Sequence, residues 1–127
     1  MEKKIINTSN APAPIGPYNQ AVLVAGTLYI SGQIPLDAET GKLIEGDIKA
    51  ETRKCMENLK AILTEAGMTF ENVVKSSIFL NDMKQFANVN EIYGSYFNEE
   101  TGPARETVEV ANLPKFVNVE ISMIAVE

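Results

Sequence analysis

From Asp47 onward, apolar side chains at Ile48, Cys55, Met56, Leu59, Ile62, Leu63 and Ala66 return every three or four residues, the period of a helix with one buried stripe. Gly67 stands where such a helix terminates. Before it, Ala21 to Val24 and Leu28 to Gln33 are two short apolar runs around Ala25 and Gly26, the pattern of a hairpin, with a turn following near Asp37 to Gly41. Val73 to Leu80 is rich in β-branched and aromatic residues and stops at Asn81 and Asp82, which predicts a buried strand followed by a helix cap. Phe86, Val89, Tyr93, Tyr96 and Phe97 mark a second helix, with the polar Asn90 on its apolar side. Two further strands, about Ala104 to Ala111 and Val117 to Val126, meet across Asn112, Leu113, Pro114 and Lys115.

These elements predict an α+β fold. In the last strand Val117, Val119, Ile121, Met123 and Ala125 face one way, and Asn118, Glu120, Ser122, Ile124 and Val126 the other. The first set is core. The second mixes apolar residues with Glu and Ser, and two helices cover only one side of a mixed sheet of about six strands. Association with further copies is the simplest way to cover the other side, and a half-polar face is where a site between subunits can form.

Composition narrows the chemistry. The 127 residues fit one domain, 1–127, with 45% hydrophobic and 22% charged residues, the balance of an ordinary globular chain. Eleven Lys and Arg against seventeen Asp and Glu give a net charge of -6, which offers no general attraction to nucleic acid or anionic lipid. No apolar run has the length of a membrane helix and the N-terminus lacks a secretory pattern, so a cytoplasmic protein is expected. The lone Cys55 lies on the helical stripe and reads as packing. There is no histidine, which removes Ser-His and Cys-His nucleophile pairs and His-containing zinc sites; no metal or cofactor is expected.

Several strings in this order and spacing resemble one family. They are Ile15-Gly16-Pro17-Tyr18-Asn19-Gln20-Ala21, Ile30-Ser31-Gly32-Gln33-Ile34-Pro35, Phe86-Ala87-Asn88-Val89-Asn90, Pro103-Ala104-Arg105, and Val108 to Lys115 with Val119-Glu120-Ile121. Spanning almost the whole chain, they are similar to the RidA/YjgF family, also described as L-PSP or translation inhibitor proteins. The resemblance implies a chorismate-mutase-like fold, a homotrimer with clefts between subunits, and hydrolysis of 2-imino acids such as 2-iminobutanoate and 2-iminopropanoate to 2-keto acids and ammonia.

On this resemblance Arg105 holds the substrate carboxylate, a task suited to a planar, permanently charged fork, and Glu120 places water or moves a proton. Tyr18, Ser31, Gly32, Asn90 and Thr107 fall at substrate-binding positions. Each has a plainer reading. Arg105 could pair with Glu106 or Glu109, Glu120 could be an ordinary exposed strand residue, Tyr18 a core side chain, Ser31 and Gly32 a strand-end turn, and Asn90 part of a structural network.

Departures lie near these positions: Thr107 stands where many members have cysteine, Glu106 replaces a small residue, Asn112 replaces a common arginine, and the Asn98 to Gly102 loop is short. Strand alternation puts Glu106 on the side opposite Arg105. Three rival functions use the same framework: a non-catalytic trimer sensing carboxylate metabolites, a ribonuclease as attached to some members, and chorismate mutase by fold analogy alone.

Overall fold

The computed structural model describes residues 1–127. Six strands, β1 (Lys3–Ile6), β2 (Ala21–Val24), β3 (Thr27–Gln33), β4 (Val73–Leu80), β5 (Ala104–Glu109) and β6 (Val119–Val126), form one sheet in the order β1-β2-β3-β6-β4-β5. All neighbours are antiparallel except β4 and β5, whose parallel pairing requires the crossover that helix α2 (Phe86–Gly94) supplies. Helix α1 (Ile48–Glu65) is capped by Asp47, whose side chain accepts from the Lys49 amide, and ends before Gly67. The hairpin turns at Ala25 and Gly26, both with positive φ, the geometry of a tight turn matched to strand twist.

Both helices lie on one face. Cys55, Met56, Leu59, Ile62 and Leu63 of α1 are buried together with Leu28 and Ile30 of β3, Ile78 and Leu80 of β4, and Val119, Ile121, Met123 and Ala125 of β6. The opposite face is open in the single chain, where Tyr29 is exposed and Phe79, Glu120, Ser122 and Ile124 are half-buried. The alternation read from β6 is therefore the alternation observed.

The structure departs from the sequence reading at element ends. Strand β1 was not expected: of Lys3–Ile6 only Ile6 is buried, as suits an edge strand with no alternating signal. Strand β5 stops at Glu109, and Pro114–Phe116 forms a single tight turn, so β6 begins at Val119 and not at Val117. Helix α2 ends at Gly94; Tyr96 and Phe97 continue the packing beyond it through edge contacts with Phe70. The Ala11 to Pro14 arm is tied down by Gln20, whose amide donates to the Ala11 and Pro12 carbonyls. No helix is long and apolar enough to cross a membrane.

Candidate functional site

Strand register decides where each candidate side chain points. Arg105 pairs with Ser76 on β4, and Ser76 with Met123 on β6, both buried under the helices; Thr107 pairs with Ile78, which pairs with Ile121. Arg105 and Thr107 thus lie on the helix-covered face, at its outer edge. Glu120 pairs with Phe79, which pairs with Val108, and these three share the open face. The candidates form two groups separated by the thickness of the sheet.

The first group gathers around Arg105. One guanidinium nitrogen, Nη1, donates to Asn90 Oδ1 at 2.7 Å, and its carbon lies 5.0 Å from the Tyr93 ring centre and 5.6 Å from that of Phe86. None of the three ion pairs in the chain includes it. The acidic neighbours are engaged elsewhere: Glu106 pairs with Lys75 at 2.8 Å and accepts from Ser77, and Glu109 accepts from the Met83 amide at 2.8 Å. The plainer reading, Arg105 neutralised by Glu106 or Glu109, is overturned: Glu109 makes no ion pair with Arg105, and alternation turns Glu106 to the open face. There the Lys75 ammonium and the Ser77 hydroxyl hold its carboxyl below its ordinary value.

Beside the guanidinium is a hollow of about 200 Å³ lined by Asn90, Tyr93, Gly94, Phe97, Pro103 and Arg105 among others. Thr107, two residues along the same face, has a buried hydroxyl without a hydrogen-bond partner. Asn90 is itself exposed, so its bond to Arg105 is not a core network.

The second group lies at the end of β3. The pairing of β3 with β6 is irregular between Ile30 and Gln33, so Gly32 turns outward while Gln33 stays buried. A Cβ added at Gly32 would come within 2.8 Å of the Glu120 carboxyl carbon, so only glycine lets that carboxylate lie against the backbone. Burial alone raises the Glu120 carboxyl above its ordinary value; no hydrogen bond or cation lowers it. Tyr18 is 50% exposed, which excludes a core role, and lines a small hollow with Ile15, Gly32 and Lys115. Ser31 donates its hydroxyl to the Asn19 carbonyl at 2.7 Å and its amide to the Gln20 carbonyl at 2.8 Å, which shapes the strand end and leaves only its lone pairs free.

Sequence reasoning missed Tyr93, Phe86 and Ser76 as part of the first group. Phe86, Asn90 and Tyr93 stand at i, i+4 and i+7 on α2, so one helical face carries all three, and that spacing was available. Cys55, fully buried and with its thiol raised by burial, belongs to neither group.

The family model described as Endoribonuclease L-PSP matches residues 8–127. A RutC family protein of Synechocystis is 54% identical, covering 99% of this chain and 98% of that protein. The mouse 2-iminobutanoate/2-iminopropanoate deaminase is 49% identical, covering 98% of this chain and 92% of the mouse protein. Among solved structures, a Rid family protein of Yersinia pestis superposes with a TM-score of 0.96 at 47% identity, covering 99% of this chain and all of that one.

Proposed function

The chain belongs to the RidA/YjgF family, and from that membership and the chemistry of its two side-chain groups we propose that it hydrolyses 2-imino acids to 2-keto acids and ammonia. One observation carries this reading. Arg105 has no carboxylate partner, Glu120 has no hydrogen-bond donor, and the sheet holds them on opposite faces. A cation ready for a carboxylate and a carboxylate of raised basicity are the two groups that imino-acid hydrolysis requires. They can act on one small molecule only if the first comes from one copy and the second from another. The open, half-apolar sheet face is the surface on which a second copy would sit. Family resemblance makes the number of copies three, so the proposed working unit is a cytoplasmic homotrimer of single 1–127 domains with clefts between subunits.

In such a cleft Arg105 holds the substrate carboxylate through two parallel N–H bonds, which fixes the imine carbon in place. Glu120 takes a proton from a water as its oxygen bonds to that carbon and the C=N electrons move to nitrogen. Glu120 returns that proton to nitrogen to give the carbinolamine, then carries the hydroxyl proton to the amine as the C–N bond breaks, so ammonia leaves and the added oxygen becomes the keto oxygen. A carboxyl raised by burial sits closer to working pH in both roles. Gly32 leaves room for the water, Tyr18 closes the mouth, Ser31 shapes the strand end, and Asn90 and Thr107 line the Arg105 side.

The test couples an amino-acid oxidase or threonine dehydratase to semicarbazide trapping of the imine. Wild-type protein is expected to lower trapping sharply, and Arg105→Ala to lose about 100-fold or more of that effect, as removal of a charged donor does. Unchanged trapping across several imines, with 2-keto acids still bound, would make the chain a metabolite sensor and sink the enzyme reading.

A further inference from the structure

The guanidinium of Arg105 lies against the Tyr93 and Phe86 rings and bonds the Asn90 side chain, all three on α2. Tyr93 is 6% exposed and its hydroxyl donates to Ser76 Oγ at 2.9 Å; Ser76 lies on β4 with no exposed surface. Ser76 is also the β4 residue paired in register with Arg105. The strand that carries the arginine and the tyrosine ring against it are therefore both referenced to one serine. Phe86, seven residues before Tyr93 on α2, supplies a second ring at 5.6 Å, and Asn90 between them takes one N–H. A guanidinium has five N–H donors. With rings beside it and one donor bonded to Asn90, the remaining in-plane donors stay available as a fork.

We infer that the ring of Tyr93, assisted by that of Phe86, positions Arg105 for a substrate carboxylate. This rests on the imine-deaminase reading for its kinetic consequence, but the orientation itself can be read without turnover. An arginine stem has many rotamers, and a free one would have to be ordered by each substrate. A guanidinium already seated against two rings avoids that ordering on binding, which is preorganisation in the ordinary sense. Tyr93 never touches the reacting atoms in this arrangement; it acts through Arg105.

Its removal should therefore raise KM and leave kcat much less affected. Replacing Tyr93 by Leu is expected to raise KM about tenfold, with kcat within about threefold, as loss of a partly desolvated cation–π contact implies. Tyr93→Phe keeps the ring and should recover most of the loss. Phe86→Leu, at a half-buried position, should give a smaller rise of about threefold in KM.

The direct experiment records the Arg105 Nε–Hε resonance by 15N NMR, assigned with Arg105→Lys, in wild type, Tyr93→Leu, Tyr93→Phe and Phe86→Leu, with and without 2-ketobutanoate. The expected result is one sharp, ring-shifted signal in wild type, largely kept in Tyr93→Phe and displaced or broadened in both Leu variants, with weaker ketobutanoate binding to match. An unchanged Arg105 signal and unchanged ketobutanoate affinity in both Leu variants would overturn the inference. If wild type proves unable to hydrolyse imines, the deaminase reading fails while the resonance still decides the role of Tyr93. If Tyr93→Leu does not fold, the wild-type signal decides: an Arg105 resonance with no ring shift would overturn the inference.

Discussion

Arg105 and Glu120 project from opposite faces of a single β-sheet: Arg105 lies in register with buried Ser76, and Glu120 in register with Phe79 on the open side. The two β4 positions are three residues apart, an odd number, so a continuous strand must turn them to opposite sides. No rotamer of either side chain bridges the sheet. In the proposed reaction the two can therefore meet at one substrate only across two copies of the chain.

Arg105→Lys separates charge from geometry. Lysine keeps the positive charge and loses the planar fork, so imine hydrolysis should fall about tenfold or more, with Arg105→Ala falling further. Because Arg105 makes no ion pair in the chain, neither change should lower the melting temperature as the loss of a buried pair would. Coupled-trapping kinetics and thermal melts on the same preparations check both.

Gly32→Ala should cost activity and spare the fold. The added methyl meets the Glu120 carboxyl at 2.8 Å, but that carboxyl is the far end of a side chain that can swing aside. Activity is expected to fall about tenfold to a hundredfold, the effect of moving a catalytic group by about 1 Å. Circular dichroism should be unchanged.

The elements were readable because their periods are clear: the three- and four-residue spacing from Ile48 to Ala66 can only bury one helical stripe, and Val73 to Leu80 gave the β4 bounds to the residue. Strand β1 was invisible because Lys3 and Lys4 face solvent and a four-residue edge strand has too few positions to alternate. The fate of Arg105 was half legible. Alternation placed Glu106 on the other side, but the ring of Tyr93 reaches Arg105 only because the α2 crossover lays its helix against β4 and β5, a tertiary fact. That Arg105 and Glu120 face apart depends on the β4–β6 register, which no local pattern records.

Thr107 offers a test in which stability and activity move in different directions. Its hydroxyl is buried without a partner, so Thr107→Val should leave the melting temperature unchanged or raise it. If the hydroxyl serves the substrate, hydrolysis falls severalfold in Thr107→Val and is retained in Thr107→Ser. Melting curves and kcat/KM on the three proteins decide it.

Glu120 fixes the sign of a pH effect. Its folded-state carboxyl is raised by burial, so the stability it contributes is present below the unfolded value and lost as pH rises through the folded one. Glu120→Gln, which cannot ionise, should therefore melt above wild type at pH 7. The two should converge below about pH 4, where both side chains are neutral. A wild type more stable than the variant at pH 7 would show that the buried charge has a favourable partner.

The most direct measurement mixes two inactive proteins. Arg105→Ala and Glu120→Ala are unfolded together in denaturant, refolded as a mixture, and assayed by semicarbazide trapping beside each variant and wild type refolded alone. If each cleft takes its arginine from one copy and its glutamate from the next, random assembly gives about a quarter of the clefts both groups intact, and about that share of wild-type activity returns. A mixture no more active than its components, beside a fully active refolded wild type, would contradict a site shared between subunits.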